Sequence, residues 1–369
     1  MLIDGKKTIS IEYSNEPASP IRIIDQRLLP HKVVWETLKT SEDVAVAISE
    51  MHLRGAPLIG AAAGFGVVFA LKESLSEVDF QAAFNAKISR LKNTRPTAVN
   101  LSYAINSVLS SVTGSHKEAA LLEKGWRGAL KIVEDDIEQC RQIGLHGLKI
   151  IKEIYEKKKD TVQILTHCNA GWLACLDWGT ATSPMYHAQI EDIPIHVWVD
   201  ETRPRNQGAK LTAFELEQQN IPYTVVCDNT GGHLMQHKMV DLVLVGSDRT
   251  TISGDVANKI GTYLKALAAR DNGIPFYAAL PSTTFDSTIS DGVKEIPIEE
   301  REALEVKEMD GLCEGQIKSV LVTPQKAAAC NYGFDVTPAR LVSGIITERG
   351  VTAANRESIL AMFPEMGPS

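Results

Sequence analysis

The sequence has none of the glycine fingerprints that cradle a nucleotide. No G-x-G-x-x-G follows the first predicted strand of its second half, and no G-x-x-x-x-G-K-[ST] occurs anywhere. A dinucleotide site or a P-loop is therefore disfavoured. The G-x-S-x-G elbow of a Ser-His-Asp hydrolase is absent as well. Six cysteines (Cys140, Cys168, Cys175, Cys227, Cys313 and Cys330) form no C-x-x-C pair and no zinc spacing, a pattern that predicts reduced thiols in the cytoplasm. His167, His187, His196 and His233 stand at no ligand spacing, so no metal is expected. A formal charge of −8 leaves no basic face, which argues against nucleic acid as a partner. The first residues carry no apolar h-region, so no secretory signal is visible. The longest apolar stretch, residues 57–71, is short for a bilayer and holds three glycines, so no membrane partner is expected.

What is present suits a globular chain. Its 369 residues, 44% apolar and 23% charged, suffice for two domains and a large core. Short alternating runs at 8–13 and 21–24 predict a small β element. A capped helix is predicted over 41–51 with Ser41 as N-cap, followed by an Ala/Gly-rich helix over 58–75. Helices follow over 98–112 and through 115–159, where Glu134, Asp135 and Asp136 read as a solvated face. From residue 160 the rhythm changes. Apolar, β-branched runs recur at 162–166, 195–199, 223–227, 240–245, 274–280, 317–322 and 341–346, with helical or turn segments between them. The expected fold is α/β: a mainly helical domain over 1–150, then a Rossmann-like domain over 151–369 built on a mostly parallel, doubly wound sheet.

The chemistry gathers just after the predicted strands. The segment 247–254 lies between a buried strand and a helix whose predicted N-cap is Asp255 and whose apolar residues are Val256, Ile260, Leu264 and Leu267. It carries Asp248 and Arg249, with Asn258 and Lys259 placed in the first helical turn. Cys168 and Asn169 follow the first strand, Asp200, Glu201 and Gln207 the second, and Asp228 and His233 the third. All carboxyl ends of a parallel sheet lie on one edge, so these loops converge where ligands bind. One pocket would then join a thiol, carboxylates, amides and cations, which suits an anionic, polyhydroxylated small molecule. Arg54 before a helix start and Arg95 at a second break could clamp a phosphate. Cys168 could have its pKa lowered by the next helix's N–H groups, or be a small buried hydrophobe; Cys175 and Cys227 read as core. Asp248 could be an acid–base group with a raised pKa, or merely a partner for Arg249 or Lys259.

Seven motifs occur in order: Arg54-Gly55-Ala56-Pro57; Thr94-Arg95-Pro96-Thr97; Thr166 through Gly171 (THCNAG); Asp200 through Pro204 with Gln207, Gly208 and Leu211; Gly246 through Arg249 (GSDR); Gly254 through Thr262 (GDVANKIGT); and Phe334 through Pro338 (FDVTP). Together the set resembles the S-methyl-5-thioribose-1-phosphate isomerases, in a superfamily shared with the alpha, beta and delta subunits of initiation factor 2B. The resemblance implies conversion of an aldose 1-phosphate to a ketose 1-phosphate without cofactor, in methionine salvage. It places Cys168 and Asp248 on the catalytic positions, with Asp248 as proton donor. It places Arg54, Gly55, Ala56, Arg95, Gln207, Asn258 and Lys259 on the substrate-binding positions. It further implies a homodimer and a small sugar phosphate as the ligand. Trp172 and Ser253 depart from the pattern; a Trp172 lining the pocket would alter which 5-substituent fits. The nearest alternatives are isomerases of 5-deoxyribose 1-phosphate or ribose 1,5-bisphosphate, and, from another class, a non-catalytic subunit of the initiation factor 2B type.

Overall fold

Seven short, mostly β-branched or aliphatic strands pair into one sheet, in the order Gly350–Thr352, Gly344–Thr347, Phe276–Ala279, Leu242–Val245, Val162–Thr166, Ile195–Asp200, Tyr223–Val226. The computed structural model describes residues 1–95, 99–113 and 118–367. Every neighbouring pair is parallel except the last hairpin, Gly344–Thr347 with Gly350–Thr352. The chain enters this sheet at the interior strand Val162–Thr166, moves outward twice on one side, then returns to build the other side from the central strand Leu242–Val245. The order therefore reverses between these two strands. Their register, Ile164 opposite Leu242 and Leu165 opposite Val243, sets the loops after Thr166 and Val245 side by side. That is the switch point at which an α/β sheet opens a crevice.

Two expected elements form differently. Residues 256–260 do not begin a helix. Val256–Lys259 is a strand, pairing with Arg249–Thr251 and Phe334–Thr337 in a second sheet that Phe285–Asp286 completes. Gly254, at φ 94, makes the turn, and the helix starts at Thr262 after Gly261, at φ 102. The neighbouring β-branched Thr250, Thr251, Ile252 and Val256 favour the extended form, and Asp255 accepts from Gly292 N–H and Ala339 N–H rather than capping a helix. The run at 317–322 is no sheet strand either: Gln316–Leu321 pairs only with Glu308–Cys313, in a separate, largely exposed hairpin.

In the amino-terminal half, Ile11–Glu12, Ile21–Ile24 and Trp35–Leu38 make the small sheet. Helix Ser41–Ser49 is capped by Thr40, not Ser41: Thr40 accepts from Asp43 N–H and Asp43 accepts in return from Thr40 N–H. Ser41 instead donates to Glu73. The glycine-rich helix Ala56–Ser74 is 19 residues long, enough in length and apolarity to cross a membrane, yet 83% of its apolar window is buried inside the protein. Its glycines allow this close approach, since a Cβ on Gly60 would stand 3.1 Å from the Asn100 carbonyl oxygen. Phe65 stacks obliquely on Trp126 at 4.9 Å between ring centres.

Helix Glu118–Lys158 joins the halves. Trp126, Ala129 and Val133 pack on the helical core, while Ile143, Leu148 and Ile151 pack on the sheet. Residue 150 thus lies within one continuous helix. Glu134 and Asp135 face solvent as expected, but Asp136 is buried and accepts from Leu176 N–H at 2.9 Å. Burial pushes the Asp136 carboxyl up to about 7.

Truncating Phe65 to alanine opens a cavity beside Trp126 and Tyr13 in the helical core, and should cost about 3–5 kcal/mol by urea denaturation. A loss below about 1 kcal/mol would show that this ring does not hold the helical core.

Candidate active site

Cys168 leaves the central strand in a left-handed conformation, φ 66, that a non-glycine residue adopts only when its surroundings hold it. They do so at three atoms. Its N–H donates to Thr202 Oγ1 at 2.8 Å, its carbonyl accepts from Thr212 Oγ1 at 2.7 Å, and its thiol donates to Gln207 Oε1 at 3.3 Å. The chain beyond is irregular as far as the 3-10 turn Trp172–Ala174, so no helix amino end stands behind the sulfur. The thiol pKa is therefore not lowered as a following helix could have lowered it. Burial raises it, the Arg54 and Lys259 charges pull it back, and Asp248 adds to the rise.

Asp248 leaves the adjacent strand. Its N–H donates to the Ala257 carbonyl at 2.9 Å, tying it to the second sheet, and its side chain lines the cavity. Burial raises its pKa; Lys259, Arg54 and Arg95 oppose that, and Glu299 reinforces it. Arg249 turns to Asp286 at 3.5 Å. Lys259 lies over the Phe334 ring at 4.8 Å, its pKa lowered by burial against the pull of Cys168 and Asp248. Asn258 donates to Thr262 Oγ1 at 3.0 Å.

The cations are held from behind. Arg54 donates to Asn169 Oδ1 at 2.5 Å and to the Asn169 carbonyl at 2.8 Å. Gly55, at φ 98, lies so close to the loop that a Cβ would fall 2.3 Å from the Ala174 carbonyl oxygen. Gly55, Ala56 and Pro57 line the cavity at a helix amino end that no side chain caps, an arrangement suited to an anion. Arg95 donates to Glu299 at 3.0 Å, while its buried Nε has no hydrogen-bond partner among the described residues. Pro96 and Thr97, the rest of that motif, lie outside the described residues.

One cavity is lined by all nine candidate residues: Arg54, Gly55, Ala56, Arg95, Cys168, Gln207, Asp248, Asn258 and Lys259. Other expected participants are elsewhere. Asp200 is fully buried beneath the loops, taking His167 at 2.9 Å and Lys265 at 3.2 Å. Trp172 is fully buried in the sheet core and does not line the cavity, so it contacts no ligand there. Cys175 is buried as expected, whereas Cys227 is exposed. Sequence reasoning missed Asn169 and Glu299 as the partners of the two arginines. Asn169 had a signal, its place beside Cys168 in a motif; Glu299 had none.

The four histidines do not gather. His187 stacks on Trp178, His196 meets Trp198 edge-on, and His233 lies beside His237. Among the described residues, Asp136 with Cys140 and Cys175, and His167 with Asp200 and Asp228, could each surround an ion. Both sets are tied by their own hydrogen bonds, Asp136 to Leu176 and Cys140, His167 to Asp200 and the Ile260 carbonyl.

A profile of the initiation factor 2 subunit family matches residues 52–354. The methylthioribose-1-phosphate isomerase of Desulfosudis oleivorans is 54% identical over 347 residues, 94% of each chain. That of Sinorhizobium medicae is 55% identical over 356 residues, 96% of each. Among solved structures, 5-methylthioribose 1-phosphate isomerase from Pyrococcus horikoshii superposes with a TM-score of 0.84 at 36% identity, covering 98% of this chain and 97% of that one. The delta subunit of translation initiation factor eIF-2B from A. fulgidus superposes at 0.80 and 34% identity, covering 97% and 100%. With its fold and nearly its whole length shared with these proteins, the chain belongs to the initiation factor 2 subunit family, among the methylthioribose-1-phosphate isomerases.

Proposed function

We propose that the chain converts S-methyl-5-thio-α-D-ribose 1-phosphate to S-methyl-5-thio-D-ribulose 1-phosphate, as an aldose–ketose isomerase working by acid–base chemistry. The observation that carries this reading is the pairing of Cys168 and Asp248 at the sheet's switch point, each driven by burial toward its neutral form inside a ring of cations. Phosphate on the anomeric oxygen prevents the sugar from opening as a free hemiacetal does. A general acid must therefore protonate the ring oxygen as its bond to C1 breaks, and a neutral Asp248 is suited to that. Hydrogen then moves from C2 to C1 while the C2 hydroxyl returns its proton to the Asp248 carboxylate, leaving the carbonyl at C2; atoms and charge are conserved. Cys168 moves the proton at carbon, or shapes the intermediate if the hydrogen travels as hydride. Arg54, Arg95, Lys259 and the uncapped helix end hold the phosphate, and Gln207 and Asn258 meet the hydroxyls.

Met51, Pro57, Ile59, Ile296, Pro297 and Phe334 make up much of the remaining wall. An apolar wall favours a methylthio or deoxy carbon at C5 over a second phosphate. The homodimer implied by the resemblance is proposed with the activity. The likeness to the A. fulgidus delta subunit supports a second reading, a non-catalytic subunit, which the same assay separates.

Phosphorus NMR should show wild-type protein converting methylthioribose 1-phosphate faster than 5-deoxyribose 1-phosphate. Cys168→Ser and Asp248→Asn, folded by circular dichroism, should each lose about 10²–10⁴-fold in kcat. A wild type inert toward both sugars would sink the isomerase and favour the subunit reading.

The pH profile carries a second test. If Asp248 acts as an acid, kcat/KM falls as pH rises through its folded pKa. Glu299 raises that value, so Glu299→Gln should lower it and move the alkaline limb to lower pH. A limb that stays put, or moves upward, would remove Asp248 from the acid role.

A further inference from the structure

We propose that Glu215 is a positioning residue for this site: it holds Arg54 in its binding orientation through Asn169. The inference rests on the reading of the cavity as a sugar-phosphate site. Glu215 does not line the cavity and is fully buried, on helix Ala213–Gln218. Its carboxylate nevertheless accepts four hydrogen bonds. Oε1 takes Asn169 Nδ2 and Leu173 N–H, each at 2.9 Å, and Oε2 takes Trp172 N–H at 3.1 Å and the Tyr186 hydroxyl at 2.8 Å. Four donors on two oxygens match the acceptor capacity of the ionised carboxylate. Burial raises the Glu215 pKa, and the bonds from Asn169, Leu173 and Tyr186 and the Arg54 charge act against that rise. The fit is close enough that a Cβ on Gly171 would fall 1.6 Å from Oε2.

A loop that had only to turn could be packed with apolar side chains, without burying an anion. What this anion secures is the direction of one amide. Asn169 Nδ2 donates to Glu215 and, at 3.2 Å, to Thr212 Oγ1, so the amide cannot flip, and its Oδ1 is left pointing at Arg54. Thr212 in turn donates to the Cys168 carbonyl. The segment carrying Gln207, Thr212 and Glu215 is thus the template on which both the thiol and the guanidinium are hung. Glutamine is isosteric but cannot replace the carboxylate. Whichever way its amide lies, the NH₂ faces one backbone N–H, that of Trp172 or that of Leu173.

The test is a double-mutant cycle between Glu215→Gln and Arg54→Ala in the full chain. Its readouts are KM and kcat for methylthioribose 1-phosphate and the Kd of inorganic phosphate by calorimetry. Glu215→Gln should raise KM and the phosphate Kd about tenfold, with kcat changed less than about threefold; in the Arg54→Ala background it should change them less than about twofold. Additive effects, or unchanged KM and Kd in a folded variant, would overturn the proposal, because a merely structural carboxylate has no reason to act through Arg54. Should Glu215→Gln fail to fold, Asn169→Ala leaves the carboxylate and its other donors in place and must raise the phosphate Kd in the same non-additive way; an unchanged Kd there overturns the proposal. Tyr186→Phe, which removes a donor remote from Asn169, should leave the phosphate Kd within about twofold. If the sugar is not turned over, the proposed activity fails, yet the phosphate cycle still reads the link; a wild type that binds no phosphate overturns it.

Discussion

The parallel pairing of Val162–Thr166 with Leu242–Val245 is the contact on which the rest depends. It joins the strand that comes first in the chain within this sheet to the one where the chain doubles back, and a side-chain bond from Thr166 Oγ1 to the Leu244 carbonyl locks it at 2.8 Å. Residues far apart in the chain, Cys168 and Asp248, are thereby carried off neighbouring strand ends into one crevice. A register slip would break that juxtaposition and invert both buried strands at once.

The crevice works by a balance of burial against charge. Enclosure raises the thiol and the carboxyl toward their protonated forms and depresses Lys259. Arg54, Arg95 and Lys259 draw the acids back, and Glu299 stands behind Arg95. The amino-terminal helices contribute by rigidity. The buried helix Ala56–Ser74 follows Gly55, so the core that holds it also sets its uncapped amino end at the cavity.

Much of this was legible along the chain, because strand periodicity and motif order are local properties. The runs at 162–166 and 195–199 became strands in the central sheet, and the polar segments after them met as a parallel sheet demands. The failures share a cause. Residues 256–260 satisfy helical spacing, yet Gly254 and Gly261 bracket them and strand Phe334–Thr337 offers a ladder partner, so pairing from afar overrides periodicity. Asp136, in an acidic run, is buried because Leu176 brings it an N–H from a loop 40 residues on.

By itself the sequence determined the fold class, most of the strands of the central sheet and the polar residues that gather after them, since these follow from local pattern and residue type. Only the tertiary structure decided how they act. It placed Trp172 in the core rather than the cavity, raised the Cys168 thiol where a following helix could have lowered it, and set Asn169 against Arg54 and Glu299 against Arg95. Burial, hydrogen-bond geometry and the field of neighbouring charges are properties of distance in space, and spacing along the chain does not encode them.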